Sequence, residues 1–382
     1  MRSFAQVIYT PTQAEITKYL GITAAIFGLT ISVYALSFAV SQLAFGPLVD
    51  RFESKRILLG GMTLLVLGSL VAFLAPQLAP ILASRAIQAI GIAAAGLVAI
   101  ALISDVVPQA ERGRAMGVYE IFNAAGAASG PIVGAIIATW LGWRYDFLFL
   151  AILGLLLVIF AAWGLPKLPV KSQKVGFKDM LTILRTPSPA GAIVLGLVMF
   201  YGLFTMFQLL PLFLAEQYGM TVSGIGLMVA LTPLGAMLGS YLGGRMLDRN
   251  RVRHVALPGA LGAALTFSGL TYLSNAAGST TPMIFIAGSV FLCGTMIGYC
   301  LPAQLKIMVD FFPSMRGTAS GLLIFFRFIG ASLAPILTGY LADHVSITTG
   351  FASAAILLTI GAVVAFVVIA EPQTSPVTVN IE

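Results

Sequence analysis

Charge is what this 382-residue chain has least of: Asp, Glu, Lys and Arg together make up 9% of it, against 59% hydrophobic residues and a mean hydropathy of +0.99. Soluble globular chains carry about 25% charged residues, so that class is excluded. Histidine and cysteine are nearly absent, with two of each. His254 and His344 fall in loops on opposite sides of the predicted spans, and neither Cys293 nor Cys300 has a histidine or acid within a helical turn. No metal site is expected from such a set. The two cysteines stand seven residues apart on one predicted helix, about 10 Å along its axis, and are expected as free thiols. A nucleotide-cradling loop ending in Lys-Ser/Thr is missing, which argues against ATP as an energy source. Met1 to Thr10 lacks the apolar core and small-residue cleavage site of a signal peptide, so no cleaved leader is expected. No enzymatic activity is expected either.

What the chain has in abundance is long apolar runs. Runs of about 20 residues, the length that crosses a hydrocarbon core, fall near 22–48, 57–76, 79–104, 115–140 and 145–165, then near 191–214, 222–247, 255–274, 282–309, 317–342 and 347–370. Between the two groups, residues 166–190 hold Lys167, Lys171, Lys174, Lys178 and Arg185 among several prolines, and read as a linker with one short surface helix. Sixteen of the 21 basic residues lie in or beside the loops after Leu48, Ser104, Leu165, Leu247 and Val309, whereas the opposite loops hold only Arg144. Basic residues are retained in the cytoplasm, so these loops, the linker and the tail 372–382 are expected there. The net charge of +7 is thereby a matter of topology, and no nucleic-acid partner is implied. Trp140 and Trp143 at the outer face and Trp163 at the inner one are expected in the aromatic belts.

The sharpest local signal is a charged knot between the first two runs, from Gly46 to Arg56, holding Asp50, Arg51, Glu53, Lys55 and Arg56. Gly46 lets helices approach, Asp50 counters charge at helix ends, and the basic residues reach carbonyls and anionic headgroups. Landmarks in and around the knot recur. Gly21, Gly28, Gly46 and Asp50-Arg51 return 198 residues on as Gly219, Gly226, Gly244 and Asp248-Arg249; Asp105 and Pro108 return 205 on as Asp310 and Pro313; Arg112-Gly113 returns 204 on as Arg316-Gly317. A parallel repeat of this kind places two similar helical bundles around one axis.

The Gly-x-x-x-Asp-Arg knot with its basic pair resembles the signature loop between helices two and three of the major facilitator superfamily of secondary transporters. The stretch Gly126-Ala127-Ala128-Ser129-Gly130-Pro131-Ile132-Val133-Gly134 resembles that superfamily's antiporter motif, which marks exporters. Nearly the whole chain is covered by the resemblance. It implies an all-α polytopic membrane protein of the major facilitator fold, two six-helix bundles with pseudo-twofold symmetry. The expected division is an N-terminal bundle over 1–165, a cytoplasmic linker over 166–190, a C-terminal bundle over 191–371 and a cytoplasmic tail over 372–382. The repeat puts the counterpart of helix seven's start about seven residues before Met1. Helix one is therefore expected to be truncated at the N-terminus, with Phe4 to Tyr9 as its outer end.

Site candidates follow from the same landmarks. Gly46, Asp50, Arg51, Lys55 and Arg56, with Asp105 and Arg112, are expected to form an inner gate, echoed in the second half by Gly244, Asp248, Arg249 and Arg316. The antiporter motif Gly126, Gly130, Pro131 and Gly134 puts a bare stripe on helix five, with a proline able to bend it. Gly235, Gly239 and Gly243 give helix eight a matching stripe, so the two helices are expected to pack together across the half-boundary; the alternative is ordinary glycine-mediated packing. Arg85 stands in Arg85-Ala86-Ile87-Gln88, which resembles the family's helix-four motif Arg-x-x-Gln-Gly with its glycine two positions late. A cation at that depth costs roughly 2.5 to 3.5 kcal/mol, so Arg85 either faces a wet cavity or partner, or snorkels to the outer headgroups. Arg327 takes the place of Asn123 in the repeat, and either binds an anionic group or ties helices through carbonyls. Glu120 is either a cavity-facing proton carrier or a counter-ion to Arg112 and Arg114. Arg85, Gln88, Glu120, Asn123 and Arg327 are thus the cavity and coupling candidates. Tyr34, Phe200, Phe204, Phe207 and Gln208 are the substrate-pocket candidates, lining an apolar pocket or facing lipid.

By resemblance the chain is most like the twelve-helix drug:proton antiporters, the branch with bicyclomycin and chloramphenicol resistance exporters. That implies a monomeric secondary transporter of a bacterial inner membrane, effluxing amphiphilic or lipophilic small molecules by alternating access. Its partners would be a small-molecule substrate and the lipid bilayer, and its energy source the proton gradient, with no cofactor. Two rivals stay open: an exporter of a specific metabolite such as a sugar, siderophore or other anion, which Arg85 and Arg327 would suit, and a non-transporting relative acting as sensor or scaffold.

Overall fold

A bilayer offers no water to backbone amides, so long apolar runs satisfy them internally as helices. The computed structural model of the chain describes residues 1–49, 53–108, 111–164, 177–247, 251–276, 282–313 and 315–370. Two short helices, α1 (Arg2–Val7) and α2 (Gln13–Leu20), flank a single 3₁₀ turn at Thr10–Thr12. Then come α3 (Ala24–Val49), α4 (Ser54–Leu74), α5 (Leu78–Val106), α6 (Arg112–Leu141), α7 (Arg144–Gly164) and the short α8 (Phe177–Arg185). The second half holds α9 (Pro187–Tyr218), α10 (Val222–Leu247), α11 (Arg253–Ala276), α12 (Met283–Phe311), α13 (Arg316–His344) and α14 (Ile347–Val368). Eleven of these, α3 to α7 and α9 to α14, are long and apolar enough among the described residues to cross a membrane. They coincide with the eleven apolar runs, and the described residues form no strand.

Packing repeats as the sequence does. In the first half α3 packs on α5, α4 on α5 and α7, and α1 on α6; in the second, α10 packs on α12, α11 on α12 and α14, and α9 on α13. The arrangement is the all-α, two-bundle architecture with pseudo-twofold symmetry that the repeat implies. Both α2 and α9 stop at a glycine in the left-handed region, Gly21 at φ 63° and Gly219 at φ 56°. Only a residue without Cβ takes that conformation cheaply, so the chain turns at equivalent points in both halves. We call the end holding residues 20–23, 75–77, 142–143, 219–221 and 345–346 the upper end, and the opposite one the lower end. Two seams join the halves, α3 on α13 and α6 on α10. Exchanging the halves converts one seam into the other.

One belt residue is misplaced by sequence reasoning. Trp140 and Trp163 are 81% and 90% exposed, as a lipid-facing belt requires, but Trp143 is buried. It lies just before α7 and packs on α2 of the N-terminal segment, with Tyr19 edge-on at 6.0 Å and Phe147 at 6.3 Å.

Candidate functional site

The seams are built on backbone approach. A Cβ added to Gly28 would lie 2.5 Å from the Pro335 carbonyl oxygen, and one added to Gly226 would lie 2.7 Å from the Pro131 carbonyl oxygen and collide with Ala135. These four residues are repeat partners, 198 and 204 apart. Above them, the Asp343 carboxylate accepts from the amides of Ala24 at 3.1 Å and Ala25 at 2.8 Å, the free N-terminus of α3. An acid at that position is favoured by the helix dipole as well as by the two bonds. Gln208 Nε2 donates to the Ala24 carbonyl at 2.7 Å beside it. At the equivalent place on the other seam, the Thr139 and Ser223 hydroxyls meet at 3.0 Å. Lower on the first seam, Ser32 donates to the Ser332 carbonyl at 2.6 Å, and the Phe38 and Phe328 rings meet at 4.4 Å. The Phe38 and Phe328 rings make the lowest of these contacts. Phe38 is 14 residues into α3, about 21 Å at 1.5 Å per residue, just past the midpoint of that helix.

The glycine stripes do not pair as expected. Helices five and eight do pack, as α6 on α10, but Gly126, Gly130 and Gly134 face Phe4, Val7 and Ile8 of the N-terminal segment. Gly235, Gly239 and Gly243 face Phe291, Thr295 and Tyr299 of α12. The seam contact falls to Gly226 and Pro131 instead, on the other face of each helix. Among the motif residues only Pro131 serves it.

The two intramembrane arginines have different surroundings. Arg85 is fully buried, its Nη1 donating to Gln88 Oε1 at 2.7 Å and Ala5 O at 3.1 Å, its Nη2 to Gln6 O at 3.2 Å. Its guanidinium lies 4.6 Å from the Tyr9 ring and 4.2 Å from the Tyr34 ring, and Gln88 continues to Ser69 Oγ at 2.9 Å. This is a tie between the N-terminal segment, α3, α4 and α5, and neither a cavity-facing cation nor a snorkelling one. Tyr34, expected at a substrate pocket, is buried within that tie, its ring against the Arg85 guanidinium. Arg327 is half-buried, donating to Gln304 Oε1 at 2.7 Å and Leu301 O at 3.1 Å, with Phe200 5.5 Å away.

Phe200, Phe204 and Phe328 form a ring cluster, Phe200 lying 5.6 Å from Phe328 and 6.4 Å from Phe204, which meets Phe207 at 5.5 Å. Phe200 and Phe204 of α9 thus meet Phe328 of the seam helix α13. Phe38 of α3 joins the same cluster through Phe328. Arg2 approaches Phe38 at 5.9 Å and donates to Asn123 Oδ1 at 3.3 Å, where Ser3 also donates at 2.7 Å. A cavity of about 300 Å³ opens beside Arg2 and Asn123, lined by Leu58, Met62, Ile92 and Phe122 among others. Among the described side chains Asn123 is the one sequence candidate that lines it.

Sequence reasoning also passed over Asp146, which is fully buried at the start of α7 with neither carboxylate oxygen hydrogen-bonded among the described residues. Next to Arg144, which instead donates to Ala75 O at 3.0 Å, it reads as an ordinary helix-end charge. At the lower end Arg56 pairs with Glu53 at 3.0 Å. Arg316 is exposed there, and Gly244 is half-buried with open space beside it. Asp50, Arg51, Asp248 and Arg249 lie outside the described residues, and the side chains of Gly46, Asp105, Arg112 and Glu120 outside the described side chains.

A helical fold with paired seams of this kind defines a class of membrane transporter. The family model of the Major Facilitator Superfamily matches residues 1–221 and 192–381; the chain belongs to that family, whose members are transporters and not enzymes. Multidrug resistance protein Stp of Mycobacterium tuberculosis is 26% identical over 359 residues, covering 79% of this chain. The chain spans 66% of the length of Stp. Two solved structures share the fold: a bacterial homologue of the human lysosomal transporter Spinster, in an inward-facing and unoccupied conformation (TM-score 0.79, 18% identity, 96% of this chain and 93% of that one), and a point mutant of the nucleoside transporter NupG (TM-score 0.80, 15% identity, 96% and 98%).

Proposed function

We propose that this chain is a monomeric, proton-coupled exporter of amphiphilic or lipophilic small molecules, working by alternating access in a bacterial inner membrane. The observation that carries the reading is the pair of repeat-related seams, joined by described contacts in the upper part of the helices. Two rigid bundles meeting along such seams can rock about them, opening one end as the other closes. The distribution of basic residues supports a cytoplasmic lower end, so the present arrangement is read as closed to the outside. Similarity to a protein named for multidrug resistance supports the substrate class, as does the cluster of Phe38, Phe200, Phe204 and Phe328 rings at the seam. One charge crossing 100 mV yields about 2.3 kcal/mol, enough for a roughly fiftyfold concentration ratio per proton. The domain division at 166–190, the lower gate around Asp50 and the coupling role of Glu120 belong to the same proposal.

The test is efflux of a fluorescent lipophilic dye from energised cells, with and without an uncoupler. Uncoupler-sensitive efflux that Asp50→Asn lowers at matched protein levels supports the reading. A broad panel of dyes and antibiotics without such efflux overturns it.

A further inference from the structure

At the lower end of the second half, a cavity of about 630 Å³ opens between the start of α11 and the end of α14, lined by Arg251, Arg253, His254, Pro258, Phe366 and Val367 among others. One wall is cationic and the other is hydrocarbon. The Arg253 guanidinium lies 4.5 Å from the Phe366 ring, so it reaches from one helix to the other. The α14 wall is held in place by Ser188 of α9, whose hydroxyl donates to Ala370 O at 3.0 Å and accepts from the Ala370 amide at 2.7 Å. Arg251 and His254 are exposed and Arg253 is half-buried. Among the described residues no acid pairs with any of the three; Asp248 and Glu371, the acids nearest in sequence, lie outside those residues.

The internal repeat sets this cluster apart from its counterpart. Glu53, Lys55 and Arg56 stand 198 residues before Arg251, Arg253 and His254. In the first half Glu53 pairs with Arg56 at 3.0 Å; in the second an arginine takes the acid's place, and the cluster is purely basic. From the recess both helices run into the membrane with exposed apolar side chains at helical spacing, Leu261 and Leu265 above Pro258 on α11, and Val363 and Ile360 above Val367 on α14. A guanidinium meets a phosphate with paired N–H donors, and basic recesses between spans hold anionic headgroups. A soluble anion would use only the cationic wall, whereas a lipid uses both.

We propose that this recess binds one anionic phospholipid, its phosphodiester between Arg251 and Arg253 with His254 as a further donor, and an acyl chain laid along Phe366 and Val367 toward the outer faces of α11 and α14. A zwitterionic lipid with the same chains brings an ammonium to the same arginines and is held less tightly. The site is independent of what the chain exports.

The test is retention of added lipid by the purified, detergent-solubilised full chain, read by native mass spectrometry, with phosphatidylglycerol and phosphatidylcholine of identical acyl chains. The expected result is at least tenfold tighter retention of phosphatidylglycerol. Arg251→Gln lowers that preference at least threefold and Arg253→Gln does so as well, while Arg253→Lys keeps most of it. Arg185→Gln, which removes an exposed charge on α8 at the same end, changes it less than 1.5-fold. Arg251 is exposed, so its variant reads the site even where Arg253→Gln fails to fold. Equal retention of the two lipids by the wild type overturns the inference, as does a preference unchanged in Arg251→Gln or lowered equally by Arg185→Gln. Glycerol 3-phosphate, the headgroup chemistry without a chain, is expected to leave bound phosphatidylglycerol in place at equal concentration; displacement by it would assign the recess to a soluble phosphate and overturn the lipid site.

Discussion

The two seams share a backbone and differ in chemistry. Gly28 meets Pro335 as Gly226 meets Pro131, so close approach has been duplicated with the repeat. The side chains around it have not. Where the α3–α13 seam has the Asp343 carboxylate on two amides, the α6–α10 seam has a hydroxyl pair. Where the first has Ser32, Ser332, Phe38 and Phe328, the repeat positions on the second are Ala230, Ala128, Ala236 and Ala124. One seam therefore carries polar and aromatic contacts and the other is nearly bare of them; in the proposed alternating access they would act as latch and pivot. Duplication supplied the close approach, and divergence of one seam supplied the holding contacts.

The largest expected effect comes from a control off both seams. Arg85→Leu leaves the carbonyls of Ala5 and Gln6 and the Gln88 oxygen without their donor, at about 1 to 3 kcal/mol each. Folded protein recovered by size-exclusion chromatography should fall further than for any seam variant, with Arg85→Lys recovering part. Wild-type yield and melting temperature in Arg85→Leu would show that this network does not hold the first half together.

Next come Gly28→Leu and Gly226→Leu, which force a side chain against backbone that cannot swing away. Overpacking of this kind costs about 1 to 3 kcal/mol. Both should lower the melting temperature by similar amounts, because the approach is the same on both seams. A large effect of one with none of the other would break the equivalence.

Asp343→Asn tests the asymmetry. It removes the charge that favours the α3 N-terminus, worth about 0.3 to 1 kcal/mol, so amides in residues 21–30 should exchange with deuterium about two- to fivefold faster. Thr139→Val on the pivot seam should have the smallest effect, leaving exchange over 219–228 within about twofold of wild type, since an exposed hydroxyl pair contributes little net. Equal effects of the two substitutions would remove the distinction between latch and pivot.

Much of this was legible before the structure. The eleven spans follow from run length, because a bilayer imposes both helix and length on an apolar run. The repeat was legible through Gly21 and Gly219, which end equivalent helices in the same left-handed turn. Partners were not legible. A stripe such as Gly126, Gly130 and Gly134 says that something approaches, and nothing in its spacing says that Phe4, Val7 and Ile8 do. Arg85 announced a buried cation, but two of its acceptors are backbone carbonyls of Ala5 and Gln6, which carry no side-chain signature. Asp146 was hidden because burial at a helix end depends on the N-terminal segment that folds over it.

Alternating access itself is tested most directly by distances across the two ends in one preparation. Spin labels at Gln77 and Gln217, both exposed at the upper end, and at Arg56 and Arg251, both exposed at the lower end, can be read by pulsed dipolar spectroscopy in lipid nanodiscs as pH and ligand are varied. The account predicts two populations in antiphase, the upper distance lengthening in the conditions that shorten the lower one. A single fixed distance at both ends under every condition, or lengthening of both together, would contradict it.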